Sequence, residues 1–219
     1  ESGHEYFGNS LSMTDAAEMW IHESFTTYSE TVYMECLYGK EKAFEYLTSQ
    51  RKNIKNLEPM IGPYGVYYHG RTDNDIYYKG AWVLQTLRET LENDSVFFSF
   101  IKELTSKNEL RNISTMEIIN TCNRVSGKSW EVFFSQYLYH SSLPVVEYRV
   151  QQSGDKWQIH YRLRTDTPGL DLPVRFAMGN TLYKVTAGNQ WQTLYVMNMD
   201  GEKISVDNSR VLVEVLQVF

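Results

Sequence analysis

The intervals between hydrophobic residues change character near residue 143. Before it, apolar residues recur every three or four positions, the spacing that places them on one face of a helix. After it, they alternate with polar residues, as in strands that have one buried face. The pattern therefore predicts an α+β protein in which a helical part, residues 1–142, precedes a β part, residues 143–219.

Start and stop signals divide the first part into several helices. Helices are predicted over residues 1–7, 15–38, 40–54, 75–91 and 95–105, from Ser114 onward, and over 129–138. Gly8 and Asn9 are expected to end the first helix and Gly39 the second. Residues 57–74 are rich in Pro and Gly and are predicted to form a loop along the wall of a cleft.

The second part is punctuated by short turn sequences at hairpin spacing. These are Ser153-Gly154-Asp155, Gly179-Asn180, Gly188-Asn189 and Asp200-Gly201. Gly, Asn and Asp tolerate the backbone conformations that tight hairpins need. Together with the alternation, the turns predict an all-β sandwich of about seven strands.

Composition and charge narrow the classes of partner. The net charge is −6 and the pI is near 5.4, which argues against nucleic acid or an anionic membrane as a partner. No apolar run reaches the roughly 18 residues that a membrane-spanning helix needs. Two cysteines are too few for a disulfide scaffold. None of these features indicates a cellular compartment.

Candidate chemistry lies at the beginning of the chain, in Glu1-Ser2-Gly3-His4. On a helix, side chains three positions apart share a face, so Glu1 and His4 can address the same water molecule. In the zinc-peptidase signature His-Glu-x-x-His, the two histidines bind the metal and the Glu is the general base. The sequence shows Glu-x-x-His and begins one residue after the position of the first His.

With two later blocks, this stretch resembles the gluzincin metallopeptidases of the aminopeptidase N type, which include the leukotriene hydrolases. In that family a third metal ligand, Glu, follows the second His after eighteen intervening residues, and Glu23 stands at that spacing from His4. The family's Tyr-x-Lys-Gly block is present as Tyr77-Tyr78-Lys79-Gly80. The departures are Tyr6 where Trp is commoner, and His22 and Ser24 where Asn and Gly usually flank the ligand Glu.

The resemblance implies a role for each matching residue. His4 and Glu23 would bind one zinc ion, and Glu1 would be the general base for the attacking water. Tyr77 would donate its hydroxyl to the oxyanion that develops on a peptide substrate. Glu30, on a stripe of the same helix face as Glu23 that is expected to point inward, would orient a ligating imidazole.

The resemblance also implies an architecture. Residues 1–142 would be the helical half of a thermolysin-like catalytic domain, and residues 143–219 a small β-sandwich. The upstream domains, the sheet lobe with its exopeptidase strand and the start of the zinc helix look absent, so we expect a fragment. Without the first His, this fragment is expected to hold zinc weakly, if at all, and to be inactive or nearly so.

Two alternatives stay open from the sequence. One is a non-catalytic scaffold or binding module with the same fold, and the other is a non-peptidase hydrolase such as an epoxide-opening relative. The residue before Glu1 would separate the first alternative from the enzyme, since His supports catalysis. The substrate-choosing strand, which would separate the second, is not in this sequence.

Overall fold

Six α-helices build the first of two units into which the chain divides, Glu1–Ser141 and Ser142–Phe219. A computed structural model describes residues 1–197 and 203–219. The helices are α1 (Trp20–Tyr38), α2 (Lys40–Gln50), α3 (Tyr78–Leu91), α4 (Asp94–Lys107), α5 (Thr115–Ser126) and α6 (Glu131–Tyr139). With the β-strands of the second unit, they confirm the predicted α+β class.

Local sequence signals account for several helix ends. α1 ends at Gly39, whose φ of 85° favours glycine, as predicted. α5 begins with a capping box, in which Ser114 accepts from the backbone of the first turn and Glu117 accepts from the Ser114 N–H at 2.8 Å. The end of α1 and the start of α5 agree with the sequence prediction, because the residues that cap a helix lie next to its end in the sequence.

Several features of the first unit differ from the sequence-based expectation, and one is that the helix predicted from residue 15 begins at Trp20. Instead of the end of an α-helix over residues 1–7, Ser2–Glu5 forms a single turn of 3-10 helix, the form that short helical segments commonly take. Two short strands, β1 (Leu11–Met13) and β2 (Arg111–Ile113), pair in parallel, with Leu11 opposite Arg111. Strands of three residues are too short to show a period, so the sequence pattern missed them.

Aromatic side chains fill the core of the first unit. Phe25 of α1 stacks on Phe7 with ring centroids 4.9 Å apart, and it also contacts Trp20 and Phe100. All four are buried, and rings of this size contribute much of the apolar area removed from water on folding. The cluster holds the beginning of α1 against the chain that follows the Ser2–Glu5 turn. Among the described residues, no helix combines the length and apolar character that crossing a membrane requires.

The second unit is made of strands. They are β3 (Val145–Ser153), β4 (Lys156–Arg164), β5 (Leu172–Met178), β6 (Thr181–Ala187), β7 (Gln192–Met197), β8 (Ile204–Asp207) and β9 (Glu214–Gln217). One sheet has the order β7-β4-β3-β9 and the other the order β6-β5-β8. Turns at Gly154 and Gly179 connect β3 to β4 and β5 to β6, whereas the predicted turn at Asp200-Gly201 lies outside the described residues.

The core of the second unit lies between its two sheets. Phe176 of β5 is fully buried, and its ring lies 5.9 Å from that of Tyr148 on β3 and 5.3 Å from that of Tyr161 on β4. The last predicted strand begins later than expected. Residues 211–213 are buried but precede β9, so their apolar pattern reflects burial of a connecting segment.

Phe176 provides a test of this core. Replacing it with Ala should lower the free energy of unfolding by about 3–5 kcal/mol, because the ring's contacts with both tyrosines are lost and a cavity remains. Chemical unfolding followed by circular dichroism measures the change. The matched control is Tyr195→Ala on β7; Tyr195 is 60% exposed, and loss of its side chain should cost less than about 1 kcal/mol. Equal losses for the two variants would contradict the assignment of the core.

Candidate active site

Two side chains expected to bind a metal lie next to each other. His4 is in the Ser2–Glu5 turn and Glu23 is in the first turn of α1, and His4 Nε2 lies 3.6 Å from Glu23 Oε2. Two ligand atoms bound to one tetrahedral zinc at about 2.1 Å would lie about 3.4 Å apart. The spacing of the pair therefore fits a shared zinc ion.

The hydrogen bonds of the His4 ring set its chemical form. Nδ1 lies 3.1 Å from the Phe7 carbonyl oxygen and 3.3 Å from Thr26 Oγ1. Because a carbonyl can only accept, Nδ1 carries the hydrogen, and in the neutral ring the lone pair is then on Nε2. That is the nitrogen that faces Glu23, so the ring presents its metal-binding atom to the carboxylate.

Glu30 has a different partner from the one expected. Its Oε2 accepts a 2.5 Å hydrogen bond from the Tyr46 hydroxyl, and its side chain is exposed. The prediction that Glu30 points inward and orients a ligating imidazole is therefore wrong for His4, whose Nδ1 is bound by Phe7 and Thr26. The inward face of α1 is instead the one that carries its buried side chains, among them Trp20, Ile21, Ser24, Phe25 and Tyr28.

Glu23 lies between the other predicted site residues. Partial burial raises the pKa of its carboxyl, and the negative charge of Glu1 acts in the same direction. His4 and a hydrogen bond with the Tyr77 hydroxyl lower that pKa. For Tyr77, burial and the adjacent Glu23 carboxylate raise the pKa of the phenol, so the hydroxyl keeps its proton at neutral pH. The structure thus brings His4 and Tyr77 to one carboxylate, on which the charge of Glu1 also acts.

A cleft opens beside Glu23 and Tyr77. It encloses about 290 Å³ and is lined by residues from the start of α1 and from the segment before α3, including Tyr68, His69, Arg71 and Asn74. Arg71 donates to the Pro59 carbonyl at 3.1 Å and also to that of Met60. The Pro- and Gly-rich loop therefore contributes to a polar wall.

The contact between α1 and α3 depends on a glycine. A Cβ added at Gly80 would lie 1.8 Å from Ser24 Oγ and 3.2 Å from the Ser24 Cα. Ser24 is buried and donates to the Ile76 carbonyl at 2.7 Å, so it cannot move away without losing that bond. Gly80 therefore allows the helix that follows Tyr77 to approach the helix that carries Glu23.

Sequence reasoning missed several residues that shape this site. Thr26 and the Phe7 carbonyl hold the His4 ring, and a hydrogen-bonding residue one turn after a ligand is too common a pattern to single out. His22 has a structural contact: its Nε2 accepts from the Met13 N–H at 3.1 Å and contacts Ser12 Oγ at 3.0 Å. Burial lowers the pKa of the His22 ring, with the positive field of His4 as a smaller cause.

The candidate metal ligands of this chain are the pair His4 and Glu23. Within residues 1–197 and 203–219, no three His, Cys, Asp or Glu side chains are grouped so that they could hold a metal ion. His4 and Glu23 fit two of the three protein ligands of a catalytic zinc site by atom type, tautomer and spacing.

Comparisons with known proteins point to one family of peptidases. The model of the peptidase family M1 domain matches residues 1–137. Aminopeptidase N of Lactococcus lactis subsp. lactis is 24% identical over 161 residues, covering 68% of this chain and 19% of that protein. Probable aminopeptidase 1 of Sulfurisphaera tokodaii is 20% identical over 226 residues, covering 95% of this chain and 27% of that protein.

Among solved structures, Legionella pneumophila aminopeptidase A in complex with aspartic acid is similar. It superposes with a TM-score of 0.74 at 13% identity, covering 99% of this chain and 26% of that one. At this identity the likeness shows a shared fold alone. The chain spans only 19% to 27% of the length of these similar proteins.

Gly80 provides a test of how the site is assembled. In Gly80→Ala, the methyl group must displace Ser24 or α3, and we expect a loss of roughly 1–3 kcal/mol in the free energy of unfolding despite the better helix propensity of Ala. The double variant Gly80→Ala with Ser24→Gly should recover part of the loss. Gly70→Ala is the control, because nothing lies within 4 Å of a Cβ there. Unchanged stability in Gly80→Ala would show that the helices are not in close contact at this point.

Proposed function

Because the chain belongs to peptidase family M1, we propose that it carries part of the active site of a zinc-dependent aminopeptidase. The observation that carries the proposal is the 3.6 Å approach of His4 Nε2 to Glu23 Oε2, with the Tyr77 hydroxyl close enough to the same carboxyl to lower its pKa. The similarity to proteins named as aminopeptidases supports the reaction class. The substrate would be a peptide, cleaved at its N-terminal end.

His4 and Glu23 would supply two of the protein ligands of the zinc ion. When bound, zinc supplies a Lewis acid and makes a water acidic enough to lose a proton near neutral pH. The Phe7 carbonyl and Thr26 would keep the His4 ring in the tautomer that leaves Nε2 free. Binding would require both ligands to be deprotonated.

Glu1 would transfer protons. It is exposed, and its negative charge acts on the Glu23 carboxyl, whose pKa it raises. A carboxylate can take a proton from the attacking water and return it to the departing amine. Glu1 is three residues before His4, so both belong to the same turn region of the chain.

Tyr77 would stabilise the negative charge that develops on the substrate carbonyl oxygen. Its hydroxyl remains protonated because burial and Glu23 raise its pKa, so it is available as a donor. A donor fixed in place before the reaction lowers the barrier by a few kcal/mol. The adjacent cleft of about 290 Å³ would accept part of the peptide.

The zinc ligands are tested first, by metal analysis of the complete protein, expressed from its whole gene. His4→Gln and Glu23→Gln should each lower the zinc content and weaken zinc affinity, because each removes one direct bond to the metal. Ser10→Ala, a change outside the pair, should leave the zinc content unchanged. Full zinc occupancy in both ligand variants would rule out this pair as the metal site.

Tyr77 is tested by kinetics on the same protein. Tyr77→Phe should retain zinc and lower kcat about 10²- to 10³-fold, since only the donor hydroxyl is removed. Tyr78→Phe, which removes the neighbouring hydroxyl, should change kcat by less than about threefold. If the complete protein binds peptides without hydrolysing them, the interpretation as a binding module of the same fold would replace the enzyme.

A further inference from the structure

Lys79 is a charged residue inside the first unit. Its side chain is fully buried, and its Nζ donates to the Ser141 carbonyl at 2.8 Å and to the His140 carbonyl at 3.1 Å. These carbonyls follow directly after α6, where the helix dipole favours a cation. The contact joins the first turn of α3 to the end of the last helix of the unit.

Acidic residues hold the other side of the same turn. Burial lowers the pKa of Lys79 to about 8, and the charges of Asp75 and Asp73 oppose this shift. The Asp75 carboxylate also accepts from the backbone N–H groups of Lys55 and Asn56 at 2.8 and 2.7 Å. The start of α3 is therefore held by Lys79 on one side and, on the other, by the bonds of Asp75 to the backbone at residues 55–56.

Burying a charged side chain such as that of Lys79 costs free energy, because the charge is removed from water. A hydrophobic side chain of similar volume would avoid the cost of removing the charge from water, and such replacements are often neutral or stabilising. What Lys79 provides that such a side chain cannot is a directed bond to two carbonyl oxygens. We therefore expect Lys79 to contribute by fixing the position of the first turn of α3 relative to the end of α6.

The geometry that it fixes includes Tyr77. Tyr77 N–H donates to the Asn74 carbonyl at 3.0 Å, and the Tyr77 carbonyl accepts from Ala81 N–H at 2.9 Å, so Tyr77 belongs to the turn that Lys79 anchors. On the α1 side the same turn is held by the close approach of Gly80 to Ser24. The backbone of Tyr77 is thus held between two contacts.

We propose that Lys79 is a positioning residue for Tyr77: by bonding the His140 and Ser141 carbonyls, it keeps the first turn of α3 in the place where the Tyr77 hydroxyl meets Glu23. This inference rests on the proposed function of Tyr77. Lys79 itself contacts neither Glu23 nor the cleft among its described partners.

A double-variant cycle in the complete protein tests the proposal. Lys79→Met should lower kcat about tenfold or more with little change in KM, since a small displacement of a catalytic group is costly. In a Tyr77→Phe background, the same Lys79→Met change should lower kcat less than about twofold, because the group it positions is gone.

The matched control removes another buried cation from α3. Arg88 pairs with Glu35 at 2.7 Å and with Asp94 at 2.8 Å, further along the helix. Arg88→Met should lower the unfolding temperature, but any effect on kcat should be the same fold-change with Tyr77 or Phe at residue 77. An equal fold-loss for Lys79→Met in both backgrounds would show that Lys79 is merely structural and would overturn the proposal.

A measurement independent of activity separates this inference from the proposed function. If Tyr77→Phe alone leaves kcat unchanged, the role of Tyr77 fails, and amide hydrogen exchange then decides on Lys79. Lys79→Met should speed exchange at residues 77–81 at least about tenfold more than at residues 86–91. Uniform acceleration along α3 would overturn the anchoring role of Lys79.

Discussion

The close approach of α1 and α3 at Ser24 and Gly80 is the constraint on which the site depends. There is no room for a Cβ at Gly80, because Ser24 Oγ would lie 1.8 Å from it. Glu23 precedes Ser24, and Tyr77 lies three residues before Gly80, so one helix contact places the carboxylate and the phenol side by side. The Ser24 hydrogen bond to Ile76 ties the same contact to the backbone beside Tyr77.

Glu23 is the charged group of the site that burial penalises. Burial and Glu1 raise the pKa of Glu23, which means that the ionised carboxylate is less stable there than in water. A divalent ion between Glu23 and His4 would reverse this cost, because an ion is the largest charge in such a site. The buried charges of Arg88 and Lys79, by contrast, have partners in the protein.

The elements that could be predicted from the sequence are those whose signals lie within the element or next to its ends. Gly39 and the residues around Ser114 mark helix ends through their own backbone chemistry, and the alternation after residue 143 follows from one buried face per strand. The β1–β2 pair could not be foreseen, because it joins Leu11 to Arg111 and each strand is too short for a period. For the candidate site, the resemblance to the gluzincin family singled out His4, Glu23 and the Tyr-x-Lys-Gly block. It misjudged Glu30 and gave no hint of Thr26, because side-chain partners depend on packing between distant segments.

The most direct measurement of the central claim is anomalous diffraction at the zinc edge from crystals of the complete protein. The account predicts a zinc ion about 2.0–2.2 Å from both His4 Nε2 and a carboxylate oxygen of Glu23. A fully occupied zinc ion bound elsewhere, with His4 and Glu23 uncoordinated, would contradict it.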